Sequence, residues 1–188
     1  MRIIGIDPGP DVSAFVVWHA PVVVWHAILP NAELLARLRL PVRLPSMATL
    51  LAVEMVGAAG IVGKSTFETC YWIGRFIEAW GDTRPHVRIL RRTVVADLTG
   101  SARGGDAEVR RALIEIVGPQ GVRNAPGPTF GLKQHEWAAL GVAVTAGRLG
   151  GSAQLNGAAR VSSANAGLCH DARAGHGSRG THEGERRT

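Results

Sequence analysis

The chain has 188 residues, 46% hydrophobic and 19% charged; that suffices for one domain with a full core and excludes a disordered or minimal scaffold. Its net charge of +6 rests on 21 Lys plus Arg, of which Arg is by far the larger part, and planar guanidinium groups make nucleic acid the first partner to consider. Cys70 and Cys169 form neither a disulfide framework nor a metal-knuckle spacing, which points to a reducing compartment, the cytoplasm by default.

The chain opens MRIIGIDPGPDVSAFVVW. Residues 2–7 read as a buried strand, and Pro8, Gly9 and Pro10 forbid its continuation. Buried strands disfavour Asp, so Asp7 is a carboxylate fixed at the carboxyl end of a core strand, where open sheets place their ligand sites. The same residues interrupt the apolar segment too early for a signal peptide. The run VSAFVVWHAPVVVWHAIL approaches the length of a membrane span, but His19, Pro21 and His26 interrupt it. Its β-branched density predicts a hairpin instead, with strands near 14–19 and 22–28 joined at HAP, and no membrane is expected.

Asn31 is the predicted cap of a short helix, AELLARLRL. A Pro-punctuated link, PVRLPS, leads to a fourth strand, TLLAVEMV, which again ends around a carboxylate, Glu54. In GAAGIVGKSTFETCYWIGRFIEAWG, Ser65 and Glu68 predict a capping box for a helix closed by Gly81, with Phe67, Tyr71, Phe76, Ile77 and Trp80 in the core. VRILRRTVV is expected to be the fifth strand, followed by a loop and a helix capped by Asp106. After the loop GPQGVRNAPGPTFGL comes the last helix, KQHEWAALGVAVTA. From Gly147 onward there is no aromatic residue and no hydrophobic period. Residues 1–146 therefore read as one domain and 147–188 as a disordered Gly/Ala/Arg-rich tail, able to add nonspecific affinity for a polyanion.

If the first and fourth strands are parallel neighbours, Asp7 and Glu54 converge at one edge of the sheet. Two carboxylates held that close repel unless a cation sits between them. Mg²⁺ suits oxygen ligands, and two such ions roughly 3.5–4 Å apart clamp a phosphodiester for cleavage. The bland alternative has Asp7 capping the Pro-Gly turn and Glu54 facing solvent. A second functional reading comes from Ala58–Ser65, AAGIVGKS, which fits a loose P-loop pattern with Lys64 and Ser65 on phosphate; Asp97, ending TVVAD, is its best strand-end acid. For DNA phosphates, Arg88, Arg91 and Arg92 on the fifth strand and Arg103, Arg110 and Arg111 around the next helix start are candidates, with Lys64 at the amino end of the helix after Glu54.

IIGIDPGP, LLAVEMV, TGSARGGDAEVRRAL and HEWAALGVAVTA together resemble the landmarks of RuvC-type Holliday junction resolvases, within the ribonuclease H-like superfamily. They stand in that family's order across residues 1–146. The likeness is nearest to the RuvC-like proteins of bacteriophages and prophages, in which a segment similar to VGKSTFETCYWIGRFIEAWG follows the second acid. This resemblance implies an α/β ribonuclease H-like fold, a mixed five-stranded sheet flanked by helices. It also implies a metal-dependent, structure-selective endonuclease that hydrolyses branched DNA with two Mg²⁺ or Mn²⁺ ions and acts as a homodimer. Carried over, the metal ligands are Asp7, Glu54 and His135, while the next expected acid falls on Ala138. Glu136 lies about 100° around a helix from His135 and replaces that acid only if the helix start is irregular. A noncatalytic DNA-binding relative of the same fold is the alternative that Ala138 favours.

Overall fold

The computed structural model describes residues 1–40, 48–57 and 62–151. Strands β1 (Ile3–Asp7), β2 (Val12–His19), β3 (Val22–Pro30), β4 (Leu50–Met55) and β5 (His86–Leu90) form one mixed sheet in the order β3-β2-β1-β4-β5. The first three are antiparallel, as short hairpin links require; β4 runs parallel to β1, and β5 to β4. Helix α1 (Asn31–Arg39) lies on the first of these parallel crossovers and α2 (Lys64–Trp80) on the second. Helices α3 (Arg91–Thr99), α4 (Asp106–Val117) and α5 (Gln134–Gly151) follow, with a small ribbon of β6 (Gly121–Val122) and β7 (Ala125–Pro126) between α4 and α5.

Strand alternation divides the core in two. Ile4, Ile6, Phe15, Val17, Leu51 and Val53 pack with Leu34, Leu38, Ile73, Phe76 and Trp80 of α1 and α2. Ile3, Val16, Trp18, Leu50, Ala52 and Ile89 pack on the other face against α3, α4 and α5. Because β1 and β4 are covered on both faces, their sequences read as continuous apolar runs until the terminal acids. Helix α5 sits directly on β1 because residue 5 is glycine: a Cβ there would lie 2.1 Å from the Ala139 carbonyl oxygen and 2.9 Å from the Ala143 methyl.

Several local expectations are corrected. Asn31 is the first helical residue, not a cap; its side chain accepts from the Ser13 hydroxyl at 2.6 Å and donates to the Gly9 carbonyl at 2.9 Å, tying down the loop behind Asp7. Ser65 lies inside α2, whose N-cap is Gly63, so the Ser65–Glu68 capping box does not form. RRTVVADLT is helix α3, because Val94, Val95 and Leu98 share a face that buries against the core. Arg91 and Arg92 therefore open a helix instead of ending a strand. Asp106 is likewise helical, and it is Glu108 that accepts the Gly105 N–H, at 2.7 Å.

Phe76 and Trp80 are buried and Ile77 partly so, but Phe67 and Tyr71 are exposed. The last helix continues to Gly151, since Arg148 bonds Asp97 and Leu149 packs against the core. The PVRLPS link, residues 58–61 of the P-loop-like segment, Cys169 and residues 152–188 lie outside the described residues. Cys70 is an exposed free thiol. Among the described residues no helix is long and apolar enough to cross a membrane.

Candidate active site at the carboxyl ends of β1 and β4

The register of β1 and β4 pairs Ile6 with Val53, so the next residues, Asp7 and Glu54, end two adjacent parallel strands. Counting by two from Ile3 and Leu50 places both carboxylates on the face that α5 covers. Glu54 itself pairs with Ile89 of β5; two residues further, Arg91 emerges on the same side. The first turn of α5 brings His135 over β1, with Nδ1 3.0 Å from Asp7 Oδ2. Arg91 reaches two acids at once, Nη1 lying 3.5 Å from Glu54 Oε2 while Nη2 bonds Asp106 Oδ1 at the start of α4. These five side chains line a cleft of about 650 Å³ that Arg110, Lys133, Gln134 and Ala138 complete.

The acids are poorly hydrated. Asp7 and Glu54 are only 17% and 15% exposed in their side chains, against 77% for Asp106. Burial raises the Asp7 pKa above its ordinary value, and the hydrogen bond and charge of His135, then Arg91, partly offset it. Glu54 is pushed up to about 7, first by burial and then by the neighbouring Asp7 carboxylate, against the attraction of Arg91. A pair of half-dehydrated carboxylates, both with raised pKa and one raised by the other, is a site short of positive charge.

Ala138 lines the cleft one turn along α5 from His135, so the position where an acid was expected presents a methyl group. Glu136 does not join the acids. Its buried carboxylate lies 2.8 Å from His26 Nδ1 on β3 and accepts the Lys133 N–H at 2.7 Å, fixing the first turn of α5 against the sheet. The Trp137 N–H bonds the Lys133 carbonyl at 3.1 Å in the ordinary helical spacing, and the rotation from His135 carries Glu136 to His26 instead of Asp7.

The expected phosphate contacts separate. Arg91 and Arg110 line the cleft, and Arg110 also stacks over the Trp137 ring at 5.0 Å. Arg92 borders an adjacent cavity with Arg91, Val56 and Gly57. Lys64, Arg103 and Arg111 are exposed outside the cleft. Arg88, opposite Val53 in the register, belongs to the other face of the sheet. The sequence reading missed Asp106 and Lys133 as members of the site; a helix-start Asp looks the same whether it caps its own helix or reaches a neighbour, so no local signal marks it.

Two carboxylates in a half-buried cleft are chemically suited to a hard divalent ion, with the His135 imidazole beside one of them. They offer little for a second ion. Among the described residues no group of three or more His, Cys, Asp or Glu side chains is gathered closely enough to hold a metal together, and the acid nearest Glu54 across the cleft, Asp106, is bonded to Arg91. The P-loop reading loses its strand-end acid, because Asp97 lies within α3 and accepts from Thr145 Oγ1 of α5 at 3.1 Å.

No protein-family model and no curated protein matches the sequence. Among solved structures, the chain is similar to Thermus thermophilus RuvC, with TM-score 0.60 and 19% identity over 80% of this chain and 97% of that one. It is also similar to T. thermophilus RuvC in complex with a Holliday junction substrate, with TM-score 0.57 and 17% identity over 77% and 92% of the two chains. The chain has a RuvC-like fold, the ribonuclease H-like α/β architecture with a mixed five-stranded sheet.

Proposed function

We propose that this RuvC-like chain is a metal-dependent endonuclease that hydrolyses phosphodiesters in branched DNA such as Holliday junctions, working in the cytoplasm as a homodimer. The observation that carries the reading is the convergence of Asp7 and Glu54 on one face of the sheet, in a cleft walled by Arg91, Arg110 and Lys133. The likeness to a resolvase solved with its junction supports branched DNA as the substrate, and two-fold related cutting of a junction suits a dimer.

Asp7 and Glu54 would be the primary ligands of Mg²⁺ or Mn²⁺, with His135 beside Asp7; the ion would supply Lewis acidity at the phosphate and would lower the pKa of a bound water. The chain's own groups do the rest. His135 fixes the Asp7 carboxylate through Nδ1, and its imidazole is the cleft's candidate general base. Arg91 faces the developing phosphate charge, and Arg110 and Lys133 hold the flanking backbone. Glu136 and His26 keep α5 seated so that His135 stays over Asp7. Residues 152–188 contribute an Arg-bearing extension that adds nonspecific affinity.

Ala138 favours a second reading, a relative that binds junctions without cutting them. One assay decides: branched and linear DNA are incubated with the protein in Mg²⁺, Mn²⁺ or EDTA, and binding and cutting are measured together. Asp7→Asn and Glu54→Gln should each lower cutting by about three orders of magnitude or more, while binding persists because Arg and Lys carry it. Cleavage at the wild-type rate in Asp7→Asn removes the proposed site. Junction binding without cutting in any metal establishes the second reading.

A further inference from the structure

Arg91 is the least ordinary group in the cleft. It is the first residue of α3, its side chain is 32% exposed, and its two terminal nitrogens go to different acids, Glu54 from β4 and Asp106 from α4. Three elements that are separate in sequence thus meet through one guanidinium. A surface ion pair would contribute little; here one partner is nearly buried, and the Arg91 charge eases the burial of both Asp7 and Glu54.

We propose that Arg91 is a resident cation standing in for a second metal ion, so that the cleft takes one divalent ion and uses the guanidinium in place of the other. This rests on the reading of the cleft as a phosphodiester-cutting site. Position supports it: Arg91 bonds both Glu54 and Asp106, whereas Arg110, which also lines the cleft, turns to Gln120 and the Trp137 ring. Ligand supply supports it as well. A second ion would have to draw on Glu54 and Asp106, both engaged by Arg91, because the helix position facing them is Ala138. Arginine suits the role, since it stays protonated at any working pH and its planar fork can hold two acids and still present an N–H to a phosphate oxygen. Asp106, on this account, is a positioning residue: it holds the guanidinium at the mouth of the cleft and touches no metal.

The test counts ions. The full-length protein, without DNA, is titrated with Mn²⁺ while free Mn²⁺ is followed by electron paramagnetic resonance. Wild type should bind one ion per chain. Arg91→Met, which removes the charge but keeps an unbranched side chain, should tighten Mn²⁺ binding by about tenfold or more and admit a second ion; Arg91→Lys, still a cation, should stay at one. Cutting should rise with the first power of Mn²⁺ in wild type and with a higher power, at a lower maximum, in Arg91→Met.

Two ions per wild-type chain, or an unchanged ion count in Arg91→Met, overturns the inference while leaving a metal nuclease in place. The predicted counts in a protein that cuts no DNA sustain the inference and overturn the nuclease. No bound ion in wild type overturns both.

Discussion

The two faces of the central sheet meet β1 in different ways. Under α1 and α2 the core is filled by large side chains, Leu34, Leu38, Ile73, Phe76 and Trp80, and stability there follows from buried volume. Under α5 large side chains also pack, but the crossing over β1 is made by small residues, Gly5 against Ala139 and Ala143, and there closeness of backbone to backbone is what counts. The first face holds the fold up; the second sets where His135 stands relative to Asp7. A damaged site and a destabilised protein should therefore come from different substitutions.

The largest effect expected is on the volume-filled face. Phe76→Ala should cost about 3–5 kcal/mol in denaturant unfolding, while the folded fraction keeps its Mn²⁺ affinity. Gly5→Ala should cost less in stability, about 1–3 kcal/mol, yet weaken Mn²⁺ binding, because the helix carrying His135 must lift off β1. Paired unfolding curves and Mn²⁺ titrations of both variants check this. If Phe76→Ala loses the metal and Gly5→Ala keeps it, the division of labour is the reverse of the one drawn here.

A smaller effect sharpens the same contrast through pH. Glu54 has a folded pKa of about 7 against 4.5 for the free group, so between these values the folded state binds more protons than the unfolded one. Stability from this group is present below the unfolded value and is lost as pH rises through the folded one. Metal-free protein should thus lose on the order of 2 kcal/mol from pH 5 to pH 8, with the buried Asp7 acting in the same direction. Glu54→Gln should flatten the slope, and Mn²⁺ should restore stability at the alkaline end, because the ion binds the deprotonated site. Melting temperatures at several pH values, with Mn²⁺ and with EDTA, give the answer; a slope unchanged in Glu54→Gln assigns the titration elsewhere.

The smallest effect concerns the end of α5. Removing residues 152–188 should shift unfolding by less than about 0.5 kcal/mol, with only a modest loss of nonspecific DNA affinity. Ending the chain at Ala146 also removes Leu149 from the core and Arg148 from Asp97, which should cost about 1–2 kcal/mol more. Equal stability of the two truncations would mean that the last turn of the helix contributes nothing.

Sequence alone determined the frame of this protein and the two strand-end acids of its cleft. A continuous apolar run halted by Pro-Gly-Pro fixes Asp7 at a strand end, a second apolar run broken by an acid marks Glu54, and the helix period places His135 and Ala138 one above the other; each is a local signal. Tertiary structure decided the remainder. RRTVV has the β-branched content of a strand, and it became a helix because Val94 and Leu98 pack against Gly141 of α5, where a Cβ would come within 3.1 Å of Val94. That choice carried Arg91 to the start of a helix between Glu54 and Asp106, residues 37 and 15 positions away along the chain. Likewise Glu136 is an ordinary first-turn acid in the sequence, and only the docking of α5 against β3 buried it beside His26. Which side chains neutralise which depends on how helices from separate crossovers meet over the sheet, and no local period encodes that meeting.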